Sequence, residues 1–270
     1  MTTKRVALVT GATRGIGRAI VDRLSSSGIS CIMVGSKMES FKQMNESPPM
    51  LPNNEQWHRG LAIDLGQWPK WTVEEKYSGF QYSRGRHSGE HETHAGNWPL
   101  LALEDGYELA MLVNCAGVTQ ASPSALCRPL EMQRITNVNF LSAVSMCNAA
   151  SKKMMRSRKR QDRAPCIINI SSVLGGDPNV EPLPGTSIYS STKAALAQYS
   201  RVLSAELAGA GIAVHCLSPS LVADTDMIQN LNTQAQARLH ARFGDGNSTG
   251  IQTKYDIAAE VWELYEQSKK

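Results

Sequence analysis

A glycine-rich turn between an apolar run and a helical pattern constrains the fold of this chain more than any other feature. Residues 5–10 (RVALVT) form a short β-branched run, which is typical of a strand buried in a parallel sheet. The turn follows at once, with Gly11, Gly15 and Gly17 in the spacing GxxxGxG, and a helical pattern then runs to Gly28. Glycines let the backbone approach an anion closely, and the start of a helix points N–H groups toward it. This order predicts a phosphate-binding cradle in an α/β fold.

The second predicted strand, residues 30–34, indicates which nucleotide the cradle would take. A dinucleotide site for NAD usually places an acidic residue after this strand, where it binds the ribose 2′-hydroxyl. Here the strand is followed by Gly35, Ser36 and Lys37, with no acid. Lys37 and Arg14 are suited to a 2′-phosphate, which favours NADPH. The alternative is that both cations are merely solvated.

A third predicted strand ends at Asp64, whose carboxylate could meet the adenine. After it the pattern breaks, because residues 67–108 are polar and rich in glycine and histidine. His87, His91 and His94 have a spacing that could hold a metal, but no thiolate or clear ligand framework lies nearby. We therefore expect a surface insertion at about residues 67–108 and no metal site.

The next motifs follow the later strands. The apolar run at residues 109–113 ends in the turn Asn114-Cys-Ala-Gly117. This turn would lie at the carboxyl end of its strand, which is the edge where open α/β sheets bind ligands. A helical region then runs from about 131 to 158 with Asn139 inside it. Asn is a poor helix former, so this residue is either exposed or kept for its amide.

A phenol and an amine in the segment YSSTK form the candidate reactive group. Tyr189 and Lys193 are four residues apart and would share one helix face. A nearby cation can lower the pKa of a phenol and make it a better proton donor. The pair alone is weak evidence, since such pairs are common on solvated helices. Ser172, however, follows another buried strand at residues 166–171 and would lie on the same sheet edge as the glycine turns.

Composition limits the classes of function. The 270 residues are 41% apolar and 19% charged, which suits a soluble globular protein of one large α/β domain or two small ones. A net charge of +4 is too small to indicate nucleic acid, and six cysteines without a CxxC pair indicate reduced thiols. No apolar run reaches the roughly 18 residues of a membrane span, and an apolar strand starting at Val6 leaves no room for a secretory signal.

A basic run at the end of the long helical region has two interpretations. It includes Arg156, Arg158, Lys159 and Arg160. Cations at a helix C-terminus suit the macrodipole, so the run could be a solvated helix end. The alternative is a docking patch for an acidic partner.

The motifs together resemble the short-chain dehydrogenase/reductase family. TGATRGIG (10–17), NCAG (114–117), Asn139, the ISS serine Ser172 and YSSTK (189–193) occur in the family order, and the resemblance covers residues 5 to about 227. Within the family the chain looks most like fungal mitochondrial 3-oxoacyl-[acyl-carrier-protein] reductases. The resemblance implies a single Rossmann-like domain over residues 1–270, with a doubly wound parallel sheet of about six strands. The chain departs from the family pattern at Pro219-Ser220, where Pro-Gly is usual. We also expect it to lack the family's closing strand.

The resemblance also implies residue roles. Tyr189 would be the general acid, and Lys193 would lower its pKa and hold the nicotinamide ribose. Ser172 would polarise the substrate carbonyl, and Asn139 would position a water. The implied cofactor contacts are Gly11, Thr13, Arg14, Gly15, Ile16, Gly17, Ser36, Lys37, Asp64, Asn114, Ala116, Gly117, Val222 and Thr225.

The implied function is NADPH-dependent reduction of 3-oxoacyl-[acyl-carrier-protein] to the (3R)-3-hydroxyacyl form, in mitochondrial type II fatty acid synthesis. Acyl carrier protein would then be the partner of the basic run, and the family implies a homo-oligomer of unspecified size. A general carbonyl or hydroxysteroid reductase is the first alternative, and a non-catalytic NADPH-binding scaffold is the second. The mitochondrial assignment rests on resemblance, with the cytoplasm as the alternative.

Overall fold

A nine-stranded sheet forms the centre of the protein. The computed structural model describes residues 4–72, 76–83, 86–87, 91–94, 103, 106–120, 122–157, 163–222 and 252–268. The strands are β1 (Lys4–Thr10), β2 (Ser30–Gly35), β3 (Trp57–Ala62), β4 (Lys76–Ser83), β5 (Arg86–His87), β6 (His91–His94), β7 (Tyr107–Asn114), β8 (Cys166–Ile170) and β9 (Ala213–Leu217). Six of them run parallel in the order β3-β2-β1-β7-β8-β9. This order confirms the predicted doubly wound α/β sheet and puts its switch point between β1 and β7.

Helices cover both faces of the sheet. They are α1 (Gly15–Ser26), α2 (Lys42–Glu46), α3 (Pro129–Thr136), α4 (Ser142–Ser157), α5 (Ser187–Ala208) and α6 (Lys254–Gln267). Successive residues of β1 alternate between the two faces, so Ala7 and Val9 join one apolar cluster while Val6 and Leu8 join the other. The first cluster contains α1 and α6, and the second contains α4 and α5. Burial on both faces explains the continuous apolar character of β1.

Part of the insertion is built into the sheet. Residues 76–83 form β4, which pairs antiparallel with β3, and β5 and β6 pair with β4. Tyr77 and Phe80 of β4 are buried, and the ring of Phe80 packs over Gly60 of β3 and edge-on against Phe41 at 5.2 Å between centroids. This part of the predicted insertion is therefore a strand of the sheet, and its buried aromatic residues cover the outer edge of β3.

The long helical region is continuous but irregular. Between α3 and α4 the chain forms a π-helical turn, Asn137–Leu141, and Asn139 lies inside it, buried. Turns of this kind are wider than the α-helix and are frequent at functional sites. Asn139 thus lies within the helical region, as predicted, and its burial excludes the alternative of an exposed side chain.

At the opposite edge of the sheet no strand lies beyond β9 among the residues described, and residues 223–250 fall outside them. A helix with the length and apolarity needed to cross a bilayer is also absent from the described part of the chain. The six parallel strands agree with the predicted number.

A buried histidine lies near the amino ends of the strands. His58 of β3 accepts a hydrogen bond at Nδ1 from the Cys31 amide at 3.0 Å, and its Nε2 lies 2.7 Å from Ser25 Oγ. Ser25 in turn donates to the Met50 carbonyl. Burial lowers the pKa of His58 to about 4, although the Met50 carbonyl acts in the opposite direction. Nδ1 has no room for a proton while it accepts from Cys31, so the neutral ring belongs to the folded state.

We expect the free energy of unfolding to fall as the pH drops from about 6.5 toward 4. Unfolded His58 takes up a proton near the ordinary pKa of about 6.5, whereas folded His58 does so only near 4, so the unfolded state binds more protons in this window. The full loss would be on the order of 3 kcal/mol. Denaturant titrations at several pH values should show a steeper pH dependence for the wild type than for His58→Gln. Identical slopes would contradict this role.

Candidate active site

Two backbone turns meet at the switch point of the sheet and form the floor of the site. Gly11 follows β1 with φ of +65°, and a Cβ added to it would lie 2.8 Å from the Cα of Ala116. A Cβ on Gly17 would collide with the carbonyl oxygen of Gly11. The Thr10 hydroxyl ties the turns together, since it accepts from the amides of Cys115 and Ala116, both at 3.1 Å. Only glycine permits this contact, so the predicted cradle is formed by backbone atoms.

A cavity of about 450 Å³ opens above this floor, against the start of α1. The predicted cofactor residues in its wall are Gly11, Thr13, Arg14, Gly15, Ile16, Gly17, Ser36, Asp64, Ala116 and Gly117. The structure adds Val34, Gly35, Ile63, Leu65, Cys115, Val118, Thr119, Arg134 and Val138, which sequence reasoning did not single out. Most of these are sequence neighbours of predicted residues at the carboxyl ends of the strands, where the motifs lie. Arg134 and Val138 lie in the helical region that follows β7, and no motif marked them.

Four predicted contacts are not found in the cavity wall. Asn114 is buried and absent from the wall, and its Nδ2 donates to Asn169 Oδ1 at 2.8 Å, so its contact with a cofactor stays a prediction. As the last residue of β7, it directs its side chain between the strands and α4. Lys37 is exposed just beyond Ser36 and outside the wall. Val222 is buried and pairs with Gln252 away from the wall, and Thr225 lies outside the described residues.

Asp64 lies at one end of the cavity and is already engaged. Its Oδ1 accepts from the Gly66 amide at 3.0 Å, and its Oδ2 lies 3.6 Å from Arg134 Nη1. Both side chains are partly exposed, so this ion pair adds little stability by itself. It places a carboxylate and a guanidinium side by side where the adenine was predicted.

Ser172, Tyr189 and Lys193 converge at the same edge of the sheet. Ser172 follows β8, and its hydroxyl lies near enough to the phenol of Tyr189 to affect the pKa of that phenol. Its oxygen also accepts from the Leu174 amide at 3.2 Å. Lys193 lies one turn beyond Tyr189 on α5, with Nζ 5.9 Å from the centre of the phenol ring and 2.7 Å from the carbonyl oxygen of Ile170. A hydroxyl, a phenol and an amine from two elements therefore share one buried site.

Burial changes the acid–base properties of this group. Tyr189 is 8% exposed and Lys193 only 4%. Burial raises the pKa of Tyr189, while the hydrogen bond from Ser172 acts to lower it. The predicted depression of the phenol pKa by Lys193 is therefore wrong for the cofactor-free protein. Burial also lowers the pKa of Lys193, to about 8. Both shifts follow from the cost of a buried charge, which favours the neutral phenol and the neutral amine.

Asn139 holds the wall of the cavity against the helix that carries Tyr189. Its Oδ1 accepts from the Val118 amide at 2.8 Å, and its Nδ2 donates to the Val118 carbonyl at 3.0 Å and to Thr192 Oγ1 at 3.2 Å. Both protons of the amide are thus used inside the protein. The predicted water relay would have to use an oxygen of this residue, and it stays a prediction.

The basic run is only partly described. Arg156 is exposed in the last turn of α4. Arg158, Lys159 and Arg160 lie outside the described residues, as does most of the segment beyond Val222.

Comparison with known proteins places this geometry in a family. The family model for short chain dehydrogenases matches residues 5–71 and 102–236. The chain is 27% identical to a 3-oxoacyl-[acyl-carrier-protein] reductase of Aquifex aeolicus, over 87% of this chain and 80% of that protein. It is 26% identical to carbonyl reductase family member 4 of Danio rerio, over 89% of this chain and 86% of that protein.

A solved structure has the same fold at lower identity. A short-chain dehydrogenase from Sphingobium yanoikuyae in complex with NADPH superposes with a TM-score of 0.68, at 18% identity, over 98% of this chain and 85% of that one. The family match covers most of the chain, and both halves of the site described above lie within it. The protein therefore belongs to the short-chain dehydrogenase family and is an oxidoreductase of that kind.

Proposed function

We propose that the protein reduces 3-oxoacyl-[acyl-carrier-protein] to (3R)-3-hydroxyacyl-[acyl-carrier-protein], with NADPH as reductant. The observation on which this depends is the convergence of Ser172, Tyr189 and Lys193 at the sheet edge that carries the glycine cradle. The three side chains are not in the cavity wall, but Asn139 joins Val118 of that wall to the helix that carries Tyr189 and Lys193. The substrate class is supported by the named relative from Aquifex aeolicus. A mitochondrial role in type II fatty acid synthesis is part of the proposal, and localisation of the full chain in its own cell would test it.

The residues present fit a dinucleotide phosphate. Gly11 and Gly17 keep the floor of the cavity free of side chains, and a side chain at either position would fill it or collide with backbone. The side chain of Arg14, the N-cap residue of α1, makes no capping bond to the helix start, which lines the same cavity. Arg14 and Ser36 lie in the wall where the adenosine ribose would be, and the residues after β2 include no acid before Glu39. This donor set suits a 2′-phosphate better than a 2′-hydroxyl.

The chemistry of the site follows from its protonation states. NADPH, when bound, supplies the hydride that adds to the carbonyl carbon. Tyr189 donates its proton to the carbonyl oxygen, and its raised pKa keeps that proton in place until the oxygen becomes basic. Ser172 directs a hydrogen bond to the same oxygen. A positioned proton donor of this kind accelerates reactions by about 10²–10⁴-fold.

Lys193 compensates the phenolate that remains after proton transfer. With a pKa of about 8, its amine is mostly protonated at neutral pH even though it is buried. A cation within one helix turn of the phenol stabilises the anion in a site that excludes water. The lysine would also hold the ribose next to the nicotinamide.

Acyl carrier protein is the proposed partner, because its acidic surface suits the basic run that begins near Arg156. The chain as a whole has a net charge of +4. Long-range attraction between a basic patch and an acidic carrier would mainly raise the association rate and would weaken with salt. A homo-oligomer is proposed on the family resemblance.

A general carbonyl reductase is the second candidate. It keeps the same residues and cofactor and changes only the substrate, and the relative from Danio rerio supports it by name. A non-catalytic scaffold is less well supported, because a protein without turnover would not need to keep all three of Ser172, Tyr189 and Lys193.

The first test is the rate of NADPH oxidation with acetoacetyl-[acyl-carrier-protein], acetoacetyl-coenzyme A and small free ketones, with NADH run alongside. We expect the carrier-linked substrate and NADPH to give the highest kcat/KM. Added salt should lower the carrier-linked rate more than the coenzyme A-linked rate. Equal turnover of free ketones would favour the second candidate, and no turnover of any carbonyl would favour the scaffold.

Tyr189→Phe should abolish reduction while leaving NADPH binding nearly intact. The substitution removes only the phenolic oxygen, so we expect kcat to fall by about 10²-fold or more, with a dissociation constant for NADPH within a few-fold of the wild type. Tyr199→Phe is the matched control, since Tyr199 is a second tyrosine of α5. Its ring packs edge-on against Phe140, with 6.3 Å between the ring centroids. Unchanged turnover in Tyr189→Phe would reject the assignment of the proton donor.

The rate should also fall at alkaline pH as Lys193 loses its charge. Its pKa of about 8 means that the ammonium form is lost as pH rises through that value. We expect kcat/KM for NADPH, which reports the free protein, to be flat near pH 7 and to drop about tenfold per pH unit well above 8. Circular dichroism over the same range would show that the fold persists. A flat profile up to pH 10 would contradict a role for the charged amine.

A further inference from the structure

The helix that carries Tyr189 is capped by a side chain from a distant segment. Gln120 Oε1 accepts from the amide of Ile188 at 2.7 Å and from that of Tyr189 itself at 3.3 Å. These residues lie 68 and 69 positions further along the chain. Gln120 is 1% exposed, so the contact is made away from water. The amide orientation is fixed because Nε2 donates to the Ser122 carbonyl at 2.8 Å.

The start of α5 needs such an acceptor. The first amides of any helix have no partner within the helix, and the residue before the helix usually supplies one. Thr186 occupies that position but makes no side-chain cap, and its hydroxyl donates to the Leu183 carbonyl instead. The first regular helical bond is from the Ser190 amide to the Thr186 carbonyl. Gln120 therefore accepts from two of the amides that precede it.

Gln120 also belongs to the segment that forms the cavity wall. Residues 115–119 line the cavity, and Gln120 is the next residue. Val118 donates one hydrogen bond to Asn139 and accepts another from it, and the same asparagine donates to Thr192 on α5. Thr192 in turn donates to the Tyr189 carbonyl at 2.7 Å. The wall segment is thus joined to α5 at two points, directly by Gln120 and through Asn139 by Thr192. The backbone of Tyr189 is hydrogen-bonded at both.

We infer that Gln120 is a positioning residue, which fixes the start of α5 and so holds the phenol of Tyr189 in register with a cofactor bound against residues 115–119. The inference rests on the proposed function for the role of the phenol. A cofactor that orders the cavity wall would, through Gln120, also order the first turn of α5. Loss of the acceptor would leave the two amides without a buried partner and let the first turn move. A displacement of about 1 Å in a reacting group can cost up to roughly 10²-fold in rate.

Gln120→Met tests this, because it keeps the length of the side chain and removes both its acceptor and its donor. Gln56→Met is the matched control. Gln56 is 2% exposed and donates from Nε2 to the carbonyls of Ser25 and Ile29, next to the amino end of β3 and away from the site. We expect kcat with NADPH and acetoacetyl-[acyl-carrier-protein] to fall about tenfold or more in Gln120→Met and to stay within about twofold in Gln56→Met. KM for NADPH should change much less than kcat.

Hydrogen exchange gives a readout that does not depend on turnover. In the wild type, the amides of Ile188 and Tyr189 should exchange slowly, and NADPH should slow them further. In Gln120→Met they should exchange faster and respond less to NADPH, whereas Gln56→Met should behave like the wild type. Equal exchange and equal kcat in the two variants would overturn the inference. A wild type without carbonyl turnover would reject the proposed function, and the exchange data would still decide the role of Gln120.

Gln120→Glu provides a second variant in case Gln120→Met does not fold. A protonated carboxyl accepts with one oxygen and donates with the other, as the amide does, but a carboxylate cannot donate to the Ser122 carbonyl. We expect kcat near that of the wild type at about pH 5.5 and a progressive loss toward pH 7.5. Over the same range we expect wild-type kcat to stay steady, because Lys193 loses its charge only near pH 8. A pH profile identical to that of the wild type would count against a role for the hydrogen-bonding pattern of Gln120.

Discussion

The close approach of two backbone turns at the centre of the sheet is the constraint on which the rest of this protein depends. β1 and β7 are parallel neighbours, so both end at the same edge, and the chain leaves them in opposite directions. A Cβ on Gly11 would lie 2.8 Å from Ala116, and the Thr10 hydroxyl bonds both amides of the facing turn. The floor of the site is therefore made of backbone, which leaves space for phosphates and lets helix α1 face them.

Buried side-chain amides connect the elements that surround this floor. Asn114 joins β7 to β8, Asn139 joins Val118 to α5, and Gln120 caps α5. Buried polar groups are stable only when paired, so each bond admits few alternative arrangements of the elements that it connects. The π-helical turn puts Asn139 where its amide can reach both the wall and the helix. The three side-chain amides thus each connect a different pair of elements around the site.

Burial sets the electrostatics of the site before any cofactor binds. It raises the pKa of Tyr189 and lowers that of Lys193, which shifts both groups toward their neutral forms, although Lys193 with a pKa of about 8 stays mostly protonated at neutral pH. In the proposed reaction the phenol transfers its proton next to the Lys193 ammonium, whose pKa the same burial has lowered. Moderate shifts in opposite directions are the expected result when a donor and its stabilising charge share one water-excluding site.

The sequence by itself determined the α/β sheet, the glycine cradle and the grouping of Ser172, Tyr189 and Lys193, because each is recorded in local spacing. Glycine spacing reports backbone approach, β-branched runs report buried strands, and a four-residue interval reports a helix face. Family resemblance added the order of these motifs and the residue roles. The motif that contains Asn114 identifies the turn but not the direction of each side chain, and the structure shows the Asn114 side chain bonded to Asn169.

Only the tertiary structure decided the rest. Arg134 at the cavity, β4 on the edge of β3, and Gln120 at the start of the Tyr189 helix depend on contacts between segments far apart in the chain. The pKa shifts depend on the same packing, because they follow from how completely water is excluded. Local sequence patterns record the conformation of a segment, whereas burial and long-range pairing are fixed only when the segments pack against one another.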